Sequence, residues 1–560
     1  MKKRRKNKFF IGALLSATLL AGCGDDEQYV FTTTNTNPAV APLARNDAFP
    51  ALGNATLNQA AAAGVLTNDT PNGATITSFD AVGSQGGTLS LNQDGSFTYT
   101  PAANFVGAET FTYTLSNSVG SSTATVTLTS SGRGRFVDNS VGTNGTGTQA
   151  SPFNNLASAV AIAQSGDTIF IARGDGSNNG MTGGFALPAG VNLTGEGTGL
   201  ILAQTIVPAG QAPTLQGPIT CGGNNVIKGI TIDGSASDLV VINGVGDVTI
   251  SDSTLSNPTD DHISIINGSG TLNVLRNTLD LPANNNRDFI DVNNASTNAT
   301  IVANNNIFRN TAGQNVNGLL FIEPTGTSQI ALTFRSNVAD GTAAQQFGYG
   351  VYLDNMGTGA CTVDIAGNTF DQFNRPGRYP IGVFSTNGPT SGSITNNTAT
   401  NSGFAGIYAS AGGNGSITIS ENTVDTSQYG VYSYFDRNGT VVVTDNTIRN
   451  STNVAIYSEI FGTNATGKIA VRNNVLNSNT ESFYGYTPNA GQTLCVDMTG
   501  NTLDSNVRFD GNNAGTVNVE RKEAAQGGPL SAVNTFGGGV TVQDVNPTVT
   551  SVVAGACQIP

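Results

Sequence analysis

Two short acidic stretches carry the strongest chemical potential in this 560-residue chain: Asp260-Asp261-His262-Ile263-Ser264 and Arg287-Asp288-Phe289-Ile290-Asp291. If they occupy equivalent strands of stacked coils, Asp261 and Asp288 lie within about 5 Å of each other. Two carboxylates that close do not both ionise cheaply. One pKa rises, so an acid and a base coexist, with Asp260, Asp291, His262 and Arg287 beside them. That constellation is what a glycosidase or uronate lyase requires. The competing reading is a solvated turn. His262, the only histidine, falls where other coils place Gly or Ala, which favours a surface position next to a turn.

The elements that would position these residues repeat along the chain. An asparagine followed two residues later by an apolar side chain recurs at Asn277/Leu279, Asn305/Ile307, Asn368/Phe370, Asn397/Ala399, Asn422/Val424, Asn446/Ile448, Asn473/Val475 and Asn501/Leu503, with Ser336/Val338 filling one gap. The intervals of 28, 31, 32, 29, 25, 24, 27 and 28 residues are those of a solenoid. Parallel stacking brings equivalent residues to within about 5 Å, so an inward Asn passes its amide to the Asn above and below and satisfies a buried turn.

A second strand per coil shows its own pattern: Gly350-Val351-Tyr352, Gly382-Val383-Phe384, Gly406-Ile407-Tyr408, Gly430-Val431-Tyr432 and Ala455-Ile456-Tyr457. Neighbours in a strand point to opposite faces. With the aliphatic residue inward, Tyr352, Phe384, Tyr408, Tyr432 and Tyr457 form an exposed aromatic column. Such a column either stacks on itself and stiffens the sheet or offers a flat platform to sugar rings or a partner.

Composition agrees with an all-β chain of many short strands and tight turns: Gly is 70 of 560, charged residues are 11%, and Trp is absent. Six of the 24 basic residues, Lys2, Lys3, Arg4, Arg5, Lys6 and Lys8, lie in the leader, which leaves 18 cations against 38 acids. Phosphate binding needs a cationic face, so a nucleic-acid partner is not expected. No cluster of Cys and His has metal-site spacing. Gly-rich segments such as Gly195-Glu196-Gly197 lack a strand-to-helix context and read as turns.

The leader runs from a basic stretch through an apolar run, Phe9 to Leu20, to Leu20-Ala21-Gly22-Cys23. It resembles a bacterial lipoprotein signal, which implies cleavage of residues 1–22, acylation of Cys23 and anchorage to a membrane by lipid, the outer membrane being favoured because Gly24 stands in place of a retention Asp. Residues 23–42 have no apolar period and read as a tether. From 43 to 130 short β-prone runs alternate with turn signals. Val65-Leu66-Thr67-Asn68-Asp69, the Gly95-to-Pro101 hairpin and Phe111-Thr112-Tyr113 resemble bacterial cadherin-like and immunoglobulin-like sandwich modules. Many relatives follow the Asn-Asp element with calcium-binding aspartates. Here Pro71-Asn72-Gly73-Ala74 follow, so no cofactor is expected, and Asp69 is the one place to look for calcium.

After a Gly-rich joint at Ser130 to Arg135, Ser151-Pro152 heads a stretch with Phe153, Leu156, Val160 and Ala163 on one side. It predicts a three-turn helix that plugs the solenoid, with Ser151 as N-cap. The cap and the Asn-marked coils resemble the right-handed parallel β-helix of the pectin-lyase-like superfamily over residues 136–560. The Asp260-Asp261 pair is similar to the aspartate pair of polygalacturonase-type hydrolases, whose other motifs are missing here. The tail beyond Val519 is expected to fold back as a cover. Export permits disulfides. Cys361 and Cys495 lie five coils apart and cannot bridge, so Cys495 is paired with Cys557, against the alternative of free buried thiols.

The expectation is therefore a lipid-anchored bacterial surface protein, a β-sandwich followed by a long parallel β-helix, serving as an adhesin or as a glycan- or surface-binding structural protein. The alternative is a polysaccharide lyase or glycoside hydrolase that uses the acidic stretches. A third reading is an envelope component without a ligand. Neither the glycan nor an oligomeric state is written in these patterns.

Overall fold

The computed structural model describes residues 39–520 apart from 235–236, 282–286, 294–297, 311–314 and 342–345, together with 534–536, 542–544, 549–553 and 556–559. The leader 1–22, Cys23 and nearly all of the tether lie outside the described residues.

The N-terminal module is a two-sheet sandwich. One sheet joins Asp47–Gly53, Ser121–Val137, Gly107–Ser116 and Thr75–Phe79; the other joins Leu57–Gln59, Phe97–Thr100 and Thr88–Leu91. Alternate residues face inward, so Phe111, Tyr113 and Leu115 meet Leu89, Phe97 and Tyr99 in a common core. Asp69 is fully engaged. Its Oδ1 accepts the Arg45 amide at 2.7 Å and its Oδ2 accepts the Tyr113 hydroxyl at 2.8 Å.

The expected joint at Ser130 to Arg135 is instead the interior of one strand. Ser121–Val137 pairs inside the sandwich and then, through Gly134 to Val137, runs parallel to Thr168–Ile171 of the solenoid. The glycines serve close approach: a Cβ on Gly132 would stand 2.0 Å from the Gly166 carbonyl oxygen. Arg133 and Arg135 both grip the buried Asp167, at 2.9 and 3.1 Å.

The capping helix is shorter than expected, Leu156–Ile162, and its N-cap is Asn155, whose side chain accepts the Ser158 amide. Ser151 to Phe153 stay extended, with Phe153 bridged to Val137. Leu156 and Ala159 still plug the solenoid end beside Phe153, and Val160 and Ala163 pack at its margin.

Each coil contributes strands to three parallel sheets. Ile330–Arg335, Val338–Gly341 and Gln346–Asp354, for example, pair with Cys361–Ala366, Thr369–Phe370 and Ile381–Phe384 of the next coil. The interior carries stacks of like side chains, such as Phe308, Phe334 and Phe370, with centroids 6.0 and 6.3 Å apart.

The turn between the first and second sheets holds the Asn ladder: Asn277, Asn306, Asn337, Asn368, Asn397, Asn422, Asn446, Asn474, Asn501 and Asn534. From Asn306 onward each Oδ1 accepts the backbone N–H and the Nδ2–H of the Asn one coil earlier, while Asn277 Oδ1 accepts the Ser253 amide at 3.1 Å. At three rungs the residue is one later than the spacing suggested, Asn306, Asn337 and Asn474 in place of Asn305, Ser336 and Asn473. Those three residues precede the ladder and hold φ of 58°, 55° and 55°, a left-handed position that Asn also favours.

The described part of the C-terminal tail adds a coil rather than folding back as a cover. Thr535–Phe536, Val542–Asp544 and Val549–Val552 pair in parallel with Thr502–Leu503, Asn506–Gly511 and Thr516–Glu520. Cys495 and Cys557 form the expected disulfide, Cα atoms 5.6 Å apart, while Cys221 and Cys361 are free and buried.

Candidate functional site

The third sheet unites the two features that the sequence presents separately. Its register places Ser264, Asp291, Phe321, Tyr352, Gly382, Tyr408, Tyr432, Tyr457, Tyr484 and Arg508 side by side on successive coils. The acidic stretch and the aromatic column are thus rungs of one outward-facing ladder. Two residues further along each strand runs a second outward row, in which Phe384 stands opposite Asp354, Tyr434 opposite Glu459, and Tyr486 opposite Asp510.

Phe384 is therefore not in register with Tyr352, contrary to the motif alignment. Gly382 occupies that rung, and a Cβ there would lie 2.2 Å from the Tyr379 ring, which fills the space. Nor do the rings form a flat exposed platform. Phe321 and Tyr352 stack at 4.6 Å with 7° between planes, but Phe384 and Tyr408 meet at 86° and Tyr408 and Tyr432 at 61°. Tyr349, Tyr352, Tyr379, Phe384, Phe404, Tyr408, Tyr429, Tyr432, Tyr434 and Tyr457 make a second hydrophobic cluster outside the coil. Tyr432 retains only 9% exposure. The hydroxyls of Tyr432 and Tyr457 both donate to Glu459, at 2.6 and 2.8 Å. Burial first, and then this carboxylate, drive both phenols far above their ordinary range.

Beside the cluster lies a groove of about 420 Å³, walled by Tyr352, Phe384, Tyr408, Tyr434, Phe461, Asp354, Asp436 and Glu459 among others. Phe461, absent from the sequence pattern, is 64% exposed and lies 5.7 Å from the Tyr434 ring. At the other end a cleft of about 460 Å³ is lined by Asp261, Arg287, Asp288, Asp291, Asn317, Phe321 and Glu323.

In that cleft Asp261 and Asp288 are equivalent, as expected, and join a ladder of their own. The Asp261 amide donates to Asp238 Oδ1 at 3.0 Å, the Asp288 amide to Asp261 Oδ1 at 2.9 Å, and Asn317 Nδ2 to Asp288 at 3.0 and 3.1 Å. Burial pushes Asp261 up to about 8, helped by Asp288, Asp291 and Asp260. Burial likewise raises Asp288 to about 7, with Asp291 adding and Asn317, Arg287 and Arg378 opposing. Burial raises Asp291 too. Carboxyl groups held up to about 7 and about 8 side by side have the pairing that acid–base chemistry uses.

Asp260 and Arg287 form an exposed ion pair at 3.1 Å. The carboxylates of Asp238, Asp260 and Asp261 have oxygens within 4.8 Å of one another, and Asp238 was not foreseen. His262 is no member of the site and no surface residue. It is fully buried, stacked on Phe289 at 4.7 Å, with Nε2 3.0 Å from the Asp280 carbonyl and Nδ1 unpaired. Burial depresses it to about 4, so it is neutral.

Among known proteins, no curated sequence matches this chain. A structure of the Yersinia enterocolitica Family 28 Exopolygalacturonase shares 13% identity, covering 82% of this chain and 84% of that one, with a TM-score of 0.24. Residues 37–129 match the family described as Bacterial Ig domain. The chain is thus a bacterial Ig-like domain followed, through one shared strand, by a long parallel β-solenoid.

Proposed function

We propose that this is an exported, lipid-anchored surface protein whose third sheet binds a glycan chain along the solenoid. The observation that carries the reading is the groove beside the aromatic cluster. It combines ring faces with carboxylate acceptors, the two kinds of group that sugars engage through their C–H faces and hydroxyls. The leader sequence, Leu20-Ala21-Gly22-Cys23, supports the anchor. A solenoid is an extended scaffold, and an elongated face suits a polymer better than a small molecule.

A glycan array probed with the exported chain carrying Cys23→Ser tests the binding, with Phe461→Ala and Tyr434→Ala as controls at the groove. Retention that drops in both variants supports the reading; a blank array retires it. Loss of acyl labelling and of membrane association in Cys23→Ser tests the anchor. A second reading is favoured by one specific observation, the raised pKa values of Asp261 and Asp288 in their shared cleft. In it the chain is a polysaccharide hydrolase or lyase with one of these carboxyls as acid and a neighbour as base. Depolymerising activity that vanishes in Asp261→Asn and Asp288→Asn would promote it, and inactivity across a broad polysaccharide panel would remove it.

A further inference from the structure

We infer that the lateral groove takes an uncharged glycan and turns acidic polysaccharides away. This rests on the glycan-binding reading above and adds to it the charge of the chain that is bound.

The groove wall contains three carboxylates, Asp354, Asp436 and Glu459, and no Lys or Arg. Arg437 follows Asp436 in sequence but directs its guanidinium to another loop, with Nη1 2.7 Å from the Asn387 carbonyl and Nη2 3.2 Å from Asn387 Oδ1. Along the same ladder the second cleft is lined by Asp261, Asp288, Asp291 and Glu323, all raised by burial, so it adds less negative charge than its number of carboxyls. Its one lining cation, Arg287, is already paired with Asp260. The groove wall therefore has one sign of charge, and the cations nearby are engaged, Arg378 over the Tyr349 ring at 4.3 Å and Arg508, the last rung of the ladder, with Asp510 at 3.6 Å.

What this wall lacks is a cationic donor. Ionised carboxylates only accept hydrogen bonds, Glu459 already takes two phenol hydroxyls, and Asp354 takes the Thr386 hydroxyl at 2.6 Å. A neutral sugar brings hydroxyl donors to the remaining lone pairs, where bonds to an ionised acceptor are the strong kind, and sets C–H faces against Tyr434 and Phe461. A uronate polymer brings one negative charge per ring and further acceptors. Juxtaposed like charges discriminate against such a partner without any change in shape.

The test is calorimetric titration of the exported chain carrying Cys23→Ser with four hexamers at low and high salt: cellohexaose, mannohexaose, hexagalacturonate and chitosan hexamer. The expected result is that at least one neutral hexamer binds about tenfold tighter than hexagalacturonate at low salt. The gap should shrink at high salt, because the Debye length falls, and shrink again in the double variant Asp354→Asn with Asp436→Asn. Hexagalacturonate binding as tightly as the neutral hexamers, or chitosan hexamer binding about tenfold tighter than either, would overturn the charge assignment. If that binding still weakened in Phe461→Ala, the glycan reading would stand without it. If none of the four bound, both would fall.

Discussion

Two adjacent asparagines separate the ladder seen here from the one that spacing alone suggests. Asn474 is buried, and its Oδ1 accepts the Asn446 amide and Asn446 Nδ2, both at 2.9 Å. Its own Nδ2 donates to the Val443 carbonyl at 2.9 Å and to Asn501 Oδ1 at 3.0 Å. Asn473 is exposed and serves only the backbone, at φ 55°. In Asn474→Ala the Asn446 amide loses its acceptor and the Val443 carbonyl loses a donor. Asn446 Nδ2 keeps the Ile419 and Thr444 carbonyls, and Asn501 Oδ1 keeps the Asn474 amide.

Two buried groups are thus stranded, at about 1–3 kcal/mol each, for a total near 3 kcal/mol. Asn473→Gly should be within about 1 kcal/mol of wild type, because Gly adopts positive φ without strain. Urea midpoints of the two variants give the comparison. Hydrogen exchange adds a local readout, since the Asn446 amide should lose protection in Asn474→Ala and keep it in Asn473→Gly. A larger cost at position 473 than at 474 would refute the ladder register.

Burial holds His262 near 4 against an ordinary 6.5, so the unfolded chain takes up this proton first. The contribution is present above pH 6.5 and lost as pH falls through 4. Between pH 7.5 and 4.5 it amounts to about 2 kcal/mol, which His262→Phe should abolish relative to wild type in paired urea titrations. Asp261 and Asp288 act with the opposite sign, since their raised values give stability that is lost as pH rises through about 7 to 8. They are common to both proteins and cancel in the difference. Cys495→Ser opens a loop with a sequence separation of 62, worth about 4 kcal/mol in chain entropy. Exchange protection should fall first in Thr516–Glu520 and Val549–Val552 and stay unchanged in Ile330–Arg335. Gly132→Ala forces a Cβ to within 2.0 Å of the Gly166 oxygen and should lower stability by about 2 kcal/mol. A thermal melt equal to wild type would contradict the strand continuity claimed at that point.

How far the sequence could be read depended on which errors its periodicities expose. The repeat and the β class were legible because inward residues such as Phe370, Ala399, Val424 and Ile448 must recur once per coil. The ladder slipped by one at Asn306 and Asn474 because each follows another Asn, and the left-handed turn and the buried rung select the same residue type for different reasons. Phe384 slipped by two, which preserves the in-or-out parity of a strand, so the alignment with Tyr352 looked faultless while the loop before Ile381 had shifted it. His262 was misplaced for a third reason. It does stand in register with Gly350, Gly406, Gly430 and Ala455 of later coils, but that position faces inward, and the imidazole fills it against Phe289. Phe461 had no repeat to announce it, since it stands in a loop outside the strands, whereas Asp238 is the equivalent of Asp261 one coil earlier and extending the acidic alignment by one coil would have found it.

The continuity of Ser121–Val137 changes what the Ig-like domain can do. A flexible joint would have let the solenoid swing on the sandwich. Instead a single strand belongs to both cores, the sandwich core takes in Phe136, Phe170, Leu200 and Ile206 from the solenoid side, and Asp167, 1% exposed, ties Arg133 and Arg135 across the boundary. A buried carboxylate held by two guanidiniums is costly to separate, because opening the boundary would leave each charge without its partner. The sandwich therefore doubles as an extension of the N-terminal plug beside Leu156 and Ala159. The groove and the acidic cleft are carried at fixed distances from the sandwich. Arg133→Met and Arg135→Met together with Asp167→Leu would remove all three charges and keep an apolar contact of similar size at the boundary. The triple variant should leave the melting temperature close to wild type, whereas Asp167→Leu alone, which strands two cations, should lower it by an amount equivalent to about 3 kcal/mol.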